Sequence, residues 1–418
     1  MTPRILAVCL ALIAGACGGG GGGGGEGGGS ERAGGELDVW IMEPGAPELK
    51  DFFADATAEF ETAHDSTDVN VVFKPWAGAH DQFTIAIGGG RVPDVAEMGS
   101  TWTPEFAAVG ALAEAGPLDG FVDSLVEGAT FGESGYGVPW YAGARALIYR
   151  SDVLADLGLP APATWDELVT VGRAVRDRTG MSAFGVAGDA NHYFLPMVWQ
   201  NGGEIATRGA DGGWVSGMSS DEAVEAIQFY ADLYRKERFA PEGALTWNAR
   251  DVRAAFEAGQ LAMMIGGGWD VDAILAAHPE LEGKVATALL PAGPSGSRAT
   301  FAGGSHFVVF EDSDQQALAS EYVEFLLEPS RVRAFSDRIG FLPGQIQALD
   351  SVPAGGPDTF VTQLKEHSRT YPPTTKWGGF EGDGLFVNAV QSVMKGDQTA
   401  AAAMTAVAEA MDQAFGEE

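Results

Sequence analysis

The sequence predicts an α/β fold built on a parallel sheet covered by helices, and three observations carry that expectation. Short apolar runs alternate with amphipathic helical stretches, the order βαβαβ being legible over residues 37–97. Hydrophobic residues make up 45% and charged residues 20%, the balance of a folded globular chain. The 418 residues leave room for about two or three domains of ordinary size, so a large core can be buried.

Leu37-Asp38-Val39-Trp40-Ile41-Met42 is the first strand-like run, with Trp40 read as a packing residue. A helix is expected over 47–63, where Leu49, Phe52, Phe53, Ala56 and Phe60 fall on one face. Val69 to Phe73 reads as the second strand. A helix through Phe83, Ile85 and Ile87 ends at Gly88-Gly89-Gly90, and Val92 to Glu97 is the third strand. In such sheets ligands sit beyond the carboxyl ends of the strands, so the loops after Met42, Phe73 and Glu97 share one rim. Further along, Thr164-Trp165-Asp166-Glu167 is a capping box opening a helix with Leu168, Val171 and Val175 on one face; Trp165 is read as core. Ser219-Ser220-Asp221-Glu222 opens the next, carrying Ile227, Tyr230 and Tyr234. Asn248 precedes a helix through Val252, Ala255 and Phe256, and an Ala-rich helix is expected near 399–415.

Twenty-five Lys and Arg against 58 Asp and Glu leave a formal charge of −33. So acidic a surface repels phosphate backbones and argues against nucleic acid as a partner. The two cysteines, Cys9 and Cys17, both fall within the first twenty residues, which leaves the body no disulfide, no Cys-ligated metal and no thiol nucleophile. Residues 1–16 carry one arginine, a short apolar run and small residues, the pattern of a secretory signal. Ala14-Gly15-Ala16-Cys17 resembles a bacterial lipobox, which implies diacylglycerol on the Cys17 thiol and cleavage just before it. Residues 17–35 are then the lipidated cysteine and a glycine-rich tether with a reach of about 23 Å. The expected location is the outer face of the cytoplasmic membrane or the periplasm.

No Gly-x-Ser-x-Gly elbow, His-Glu-x-x-His, Gly-x-Gly-x-x-Gly or EF-hand spacing occurs in the body. The six histidines form no i,i+3 or i,i+4 pair, so neither metal nor cofactor is expected. Carboxylates are abundant, and a pair flanking a glycosidic bond stays open as an alternative.

Four runs carry a family likeness. Pro93-Asp94-Val95 with Phe106-Ala107-Ala108-Val109-Gly110-Ala111-Leu112 is one. Tyr136-Gly137-Val138-Pro139-Trp140, Ile148 to Leu154, Gly158, Pro162 and Thr164 to Leu168 form the second. Ala255-Phe256-Glu257-Ala258-Gly259-Gln260-Leu261-Ala262-Met263-Met264 with Gly268-Trp269 is the third. Leu290-Pro291, Gly303-Gly304-Ser305 and Gly340-Phe341-Leu342-Pro343 complete the order. Over residues 36–415 the chain resembles the family 1 extracellular solute-binding proteins, the maltose-binding-protein-like receptors of bacterial ABC importers. The resemblance implies a two-lobe, type II periplasmic-binding-protein-like fold with an interlobe cleft and three hinge crossings, near 141–146, 289–294 and 344–351. Lobe 1 would comprise 36–143 and 292–346, and lobe 2 would comprise 144–291 and 347–418. It implies a monomeric, non-enzymatic receptor that closes on a sugar, an oligosaccharide, and presents it to a permease.

A sugar site needs flat aromatic platforms and a few placed polar groups. Trp102, Trp140, Tyr141, Trp269 and Trp377 are the candidate platforms, with core packing the competing reading for each. Polar candidates from the same loops are Glu43, His80, Asp81, Ser100, Thr101, Asn191, His192, Asp270, Gly304, Ser305 and His306. Arg145 at the first crossing is either a ligand contact or a hinge salt bridge. Gly143 departs from the acidic or polar residue that many sugar receptors of the family carry there. A secreted carbohydrate-active enzyme, a sensor or adhesin, and a polyamine receptor are the competing functions.

Overall fold

The structure, a computed structural model, describes residues 35–43, 47–352 and 358–417. Cys17 and the glycine tether lie outside the described residues.

The first sheet has six strands in the order Leu342–Pro343, Val138–Gly143, Gly303–Val309, Val95–Gly99, Glu36–Glu43, Asp68–Pro75. Glu36–Glu43 pairs in parallel with both Asp68–Pro75 and Val95–Gly99, the expected βαβαβ unit. The other strands join antiparallel, so the sheet is mixed. The helix Pro47–Ala63 buries Leu49, Phe52, Phe53, Ala56 and Phe60 against one face, as its spacing requires. The Ala79–Gly88 helix buries Ala79, Phe83 and Ala86 on the other, while Ile85 is 73% exposed. Trp40 is partly buried and packs on Phe83 at 5.7 Å between centroids.

The second sheet has four strands in the order Val285–Ala288, Ala146–Arg150, Leu261–Gly266, Ser182–Phe184. Leu261–Gly266 is buried at every position, which is why it reads as one continuous apolar run. Two of the surrounding helices start at the expected caps, and the third starts one residue later, at Ser220 instead of Ser219. The Thr164 hydroxyl accepts from Glu167 N, the Ser220 hydroxyl accepts from Ala223 N, and Asn248 forms a full capping box with Asp251. Trp165 is buried and its indole N–H donates to Gln200 at 2.9 Å. Thr399 caps the Ala400–Phe415 helix, which packs with the Leu385–Lys395 helix in the second lobe's core.

The chain passes from the first sheet to the second between Gly143 and Ala146. The return lies between the Val285–Ala288 strand of the second sheet and the Gly303–Val309 strand of the first, and along it Ala292 bridges Thr164 and Gln200 Nε2 donates to the Ala299 carbonyl. The Ile346–Asp350 helix packs on the Pro329–Ile339 helix. Among the described residues no helix is long and apolar enough to cross a membrane.

Candidate ligand-binding cleft

The parallel strands end on one rim at Glu43, Pro75 and Gly99, and the residues that follow two of them, Trp76 and Ser100-Thr101-Trp102, project toward the second lobe. Ser100 is fixed by a reciprocal pair of bonds to Gly304: its N–H donates to the Gly304 carbonyl at 3.0 Å, and its hydroxyl accepts from Gly304 N at 3.3 Å. Position 304 has to be glycine, since a Cβ there would come within 2.0 Å of the Tyr141 carbonyl oxygen. The Trp102 indole folds back over Gly99 and meets Trp76 edge to face at 5.7 Å. His80 lies behind it, 5.5 Å from the Trp102 ring, with Nε2 held by Glu105 at 2.9 Å.

From the second lobe comes a stack of rings. His192 stacks on Phe301 (4.7 Å, 13°), Phe301 on Tyr371 (4.0 Å, 8°), and Tyr371 on Trp377 (4.5 Å, 24°). His192 Nδ1 is bonded to the Tyr371 hydroxyl at 2.9 Å, which sets the ring's angle. On the helix that Trp377 opens, Glu381 reaches the cleft. Together these residues enclose a cavity of about 200 Å³, lined by Trp76, Gly99, Ser100, Thr101 and Trp102 on one side, His192, Phe301 and Glu381 on the other, and Gly303 and Gly304 at the junction.

Electrostatics sharpen the picture. Burial pushes the Glu381 carboxyl up to about 7, while Trp377, Thr101 and His80 pull it partly back. The Trp377 indole N–H that faces it closes no full hydrogen bond among the described residues. His192 is pushed well below the ordinary imidazole range by burial and by the Arg145 charge, so it is neutral. His80 is raised, chiefly by Glu105.

Of the residues expected at the site, Ser100, Thr101, Trp102, His192 and Gly304 line this cavity, and His80 supports Trp102 from behind. Several others belong elsewhere. Trp140 is fully buried between Phe307 and Phe335, so it is a core residue and no platform. Tyr141 and Ser305 spend their hydroxyls on buried Glu97, at 2.6 and 2.7 Å, beneath the cleft. His306 is buried against Thr103 and its pKa is depressed to about 3 by desolvation. Trp377 is buried in the second lobe's core. Asp270 caps its own helix, accepting from Gly267 N at 3.0 Å and lying 3.3 Å from Arg253. Asp81 points to solvent, and Glu43 sits on the rim paired with Lys50 at 2.7 Å. Asn191 opens the helix that carries His192, its buried Oδ1 without a partner among the described residues.

Trp269 and Arg145 meet at the first crossing instead. The guanidinium lies 5.5 Å from the Trp269 ring, and no ion pair of Arg145 is seen among the described residues. The indole packs against Gly143, where a Cβ would come within 2.6 Å of Cζ3, and against Phe341 at 5.0 Å. A larger cavity, about 450 Å³, lies beyond it between Asp272 and Asp337.

Sequence reasoning missed Trp76, Phe301 and Glu381. Trp76 had a signal, since it follows a parallel strand on the rim already singled out; Glu381, from a C-terminal helix, had none.

What this arrangement can do is hold a flat, polar-edged molecule: ring faces on both walls, with the Ser100–Thr101 loop, His192 and Glu381 between them. The model of the family described as bacterial extracellular solute-binding protein matches residues 46–331. The diacetylchitobiose-binding protein DasA of Streptomyces coelicolor is 26% identical over 380 residues, covering 89% of this chain and 88% of that one. A solute-binding protein of an ABC transporter from Thermotoga lettingae, solved with α-D-tagatose bound, superposes with a TM-score of 0.77 at 25% identity, over 91% of this chain and 99% of that one. The sugar-binding protein MalE from Xanthomonas citri shares the fold, with a TM-score of 0.78 at 24% identity over 91% of this chain and 98% of that one.

Proposed function

The chain belongs to the bacterial extracellular solute-binding proteins, and from that premise we propose that it captures a sugar, an oligosaccharide, in the cleft between its lobes and delivers it to an ABC permease. The observation that carries this reading is the cavity walled by Trp76 and Trp102 on one lobe and by Phe301 and His192 on the other. Rings on both walls suit the apolar faces of a pyranose, and the polar groups between them suit its hydroxyls. The relatives' names, diacetylchitobiose-binding and tagatose-bound among them, support a carbohydrate ligand. Binding without turnover is favoured because a glycosidase of the usual kind works with two carboxyl groups about 5–9.5 Å apart, and Glu381 is the one carboxylate among the residues lining the cavity. Ligand would draw the lobes together about the crossings, and lipid on Cys17 would hold the monomeric receptor at the outer face of the membrane.

A thermal-shift screen against mono- and oligosaccharides tests the proposal. A ligand at 100 times its Kd stabilises by about 2.7 kcal/mol, and Trp102→Ala should then weaken binding by about 2–4 kcal/mol, the cost of truncating a buried aromatic anchor. A screen in which no carbohydrate moves the midpoint, while a polyamine does, would sink the sugar assignment.

A further inference from the structure

We propose that the cleft recognises an ammonium group on its ligand, held by the Glu381 carboxylate and faced by the rings of Trp76 and Trp102; this deepens the sugar reading and rests on it. The cavity is chemically lopsided. Glu381 is the one acidic side chain lining it, and neither Lys nor Arg lines it. Two cations, His80 and Arg145, stand nearby, and neither is among the residues lining the cavity. His80, whose charge reaches Glu381, has its Nε2 bonded to Glu105 at 2.9 Å. Arg145 lies over Trp269 and acts on His192 and Asp270. His192 is bonded to Tyr371 and kept neutral by burial, so it supplies no counter-charge.

Glu381 is partly buried, a carboxylate withdrawn from water without a counter-charge is costly, and desolvation pushes its pKa up to about 7. A sugar hydroxyl would donate a hydrogen bond and leave the charge uncompensated. An ammonium would donate the bond and also supply the counter-charge, and its remaining N–H groups would meet the electron-rich face of Trp76 or Trp102, the two rings standing at 62° to each other. The net charge of −33 would also raise the local concentration of cations around the cleft. The shared chemistry is a primary ammonium beside an apolar surface. An amino sugar and a polyamine both carry it, and the sugar reading selects the first.

The experiment is titration calorimetry on the whole purified chain, at a pH above about 7, where the Glu381 carboxyl is ionised, and below the amine's own pKa, with three probes: chitobiose bearing free amines, its N-acetylated form, and spermidine. The expected result is chitobiose binding at least about tenfold more tightly than the acetylated form. Glu381→Gln should cost the amine ligand about 30-fold, equivalent to about 2 kcal/mol for breaking a buried charge pair, and bring the ratio of the two sugars toward one. Acetylated sugar binding as tightly as the amine overturns this inference and leaves the sugar reading standing. Spermidine binding with neither sugar overturns the sugar reading and keeps ammonium recognition. The wild-type comparison needs no variant, so a poorly folded Glu381→Gln protein would not blunt the test.

Discussion

Substituting Gly143 by alanine should destabilise the protein through a single ring. The new Cβ would lie 2.6 Å from Trp269 Cζ3 and 2.7 Å from Cη2, where real contacts stay beyond 3.0 Å. The indole has little room to yield. Its six-membered edge already lies so close to Gly267 that a Cβ there would meet Cη2 at 2.2 Å, and Phe341 packs on it at 5.0 Å. Forcing atoms into a packed site costs about 1–3 kcal/mol. For a body of this size the unfolding entropy is roughly 0.8 kcal/mol/K, so the melting midpoint should drop by about 1–4 °C. The decisive assay is a double-mutant cycle by thermal unfolding. With Trp269→Ala in place, Gly143→Ala should cost almost nothing, a coupling of about 1–3 kcal/mol. Equal costs in both backgrounds, or a Gly143→Ala protein that melts with the wild type, would refute the argument. The same contact explains why position 143 has no polar side chain: Trp269 occupies the space it would need.

Trp140→Ala should lose about 3–5 kcal/mol of stability through the cavity it leaves yet keep ligand affinity, and a large affinity loss at unchanged stability would mean the ring serves the cleft after all. Glu97 accepts hydrogen bonds from Met42 N, Tyr141 and Ser305, and burial still raises its pKa from 4.5 to about 7. The folded state therefore binds this proton more tightly than the unfolded one, and stability from this group is present below about 4.5 and is lost as pH rises toward 7. Relative to wild type, Glu97→Gln should remove that component from melting curves taken across the window, and parallel curves would show that Glu97 does not titrate there. Cys17→Ala should release the protein from the membrane fraction with ligand binding intact, as fractionation and calorimetry would report; equal membrane retention would remove the lipid anchor.

Much of the scaffold was legible in the sequence because it is decided locally. The 3.6-residue spacing of Leu49, Phe52, Phe53, Ala56 and Phe60, the caps at Thr164, Ser220 and Asn248, and the buried run Leu261–Gly266 each express a rule that acts within a few residues. The rim followed from strand direction alone, and it delivered Ser100, Thr101 and Trp102. The role of a side chain on that scaffold is decided at long range. Trp140 and Trp102 look alike on the page, but Phe307 and Phe335, from distant segments, close over the first, while the second folds onto Gly99 beside open space. Tyr141 has a hydroxyl fit for a sugar until Glu97, 44 residues away, and Ser305, 164 residues away, claim it. Glu381 enters the cleft only because the C-terminal helices pack on the second lobe, whose Asp221–Arg235 helix both Leu385–Lys395 and Ala400–Phe415 touch. Burial and hydrogen-bond partnership are properties of the closed chain, so no local pattern carries them; periodicity assigns a face to a residue, and only tertiary packing determines what lies against that face.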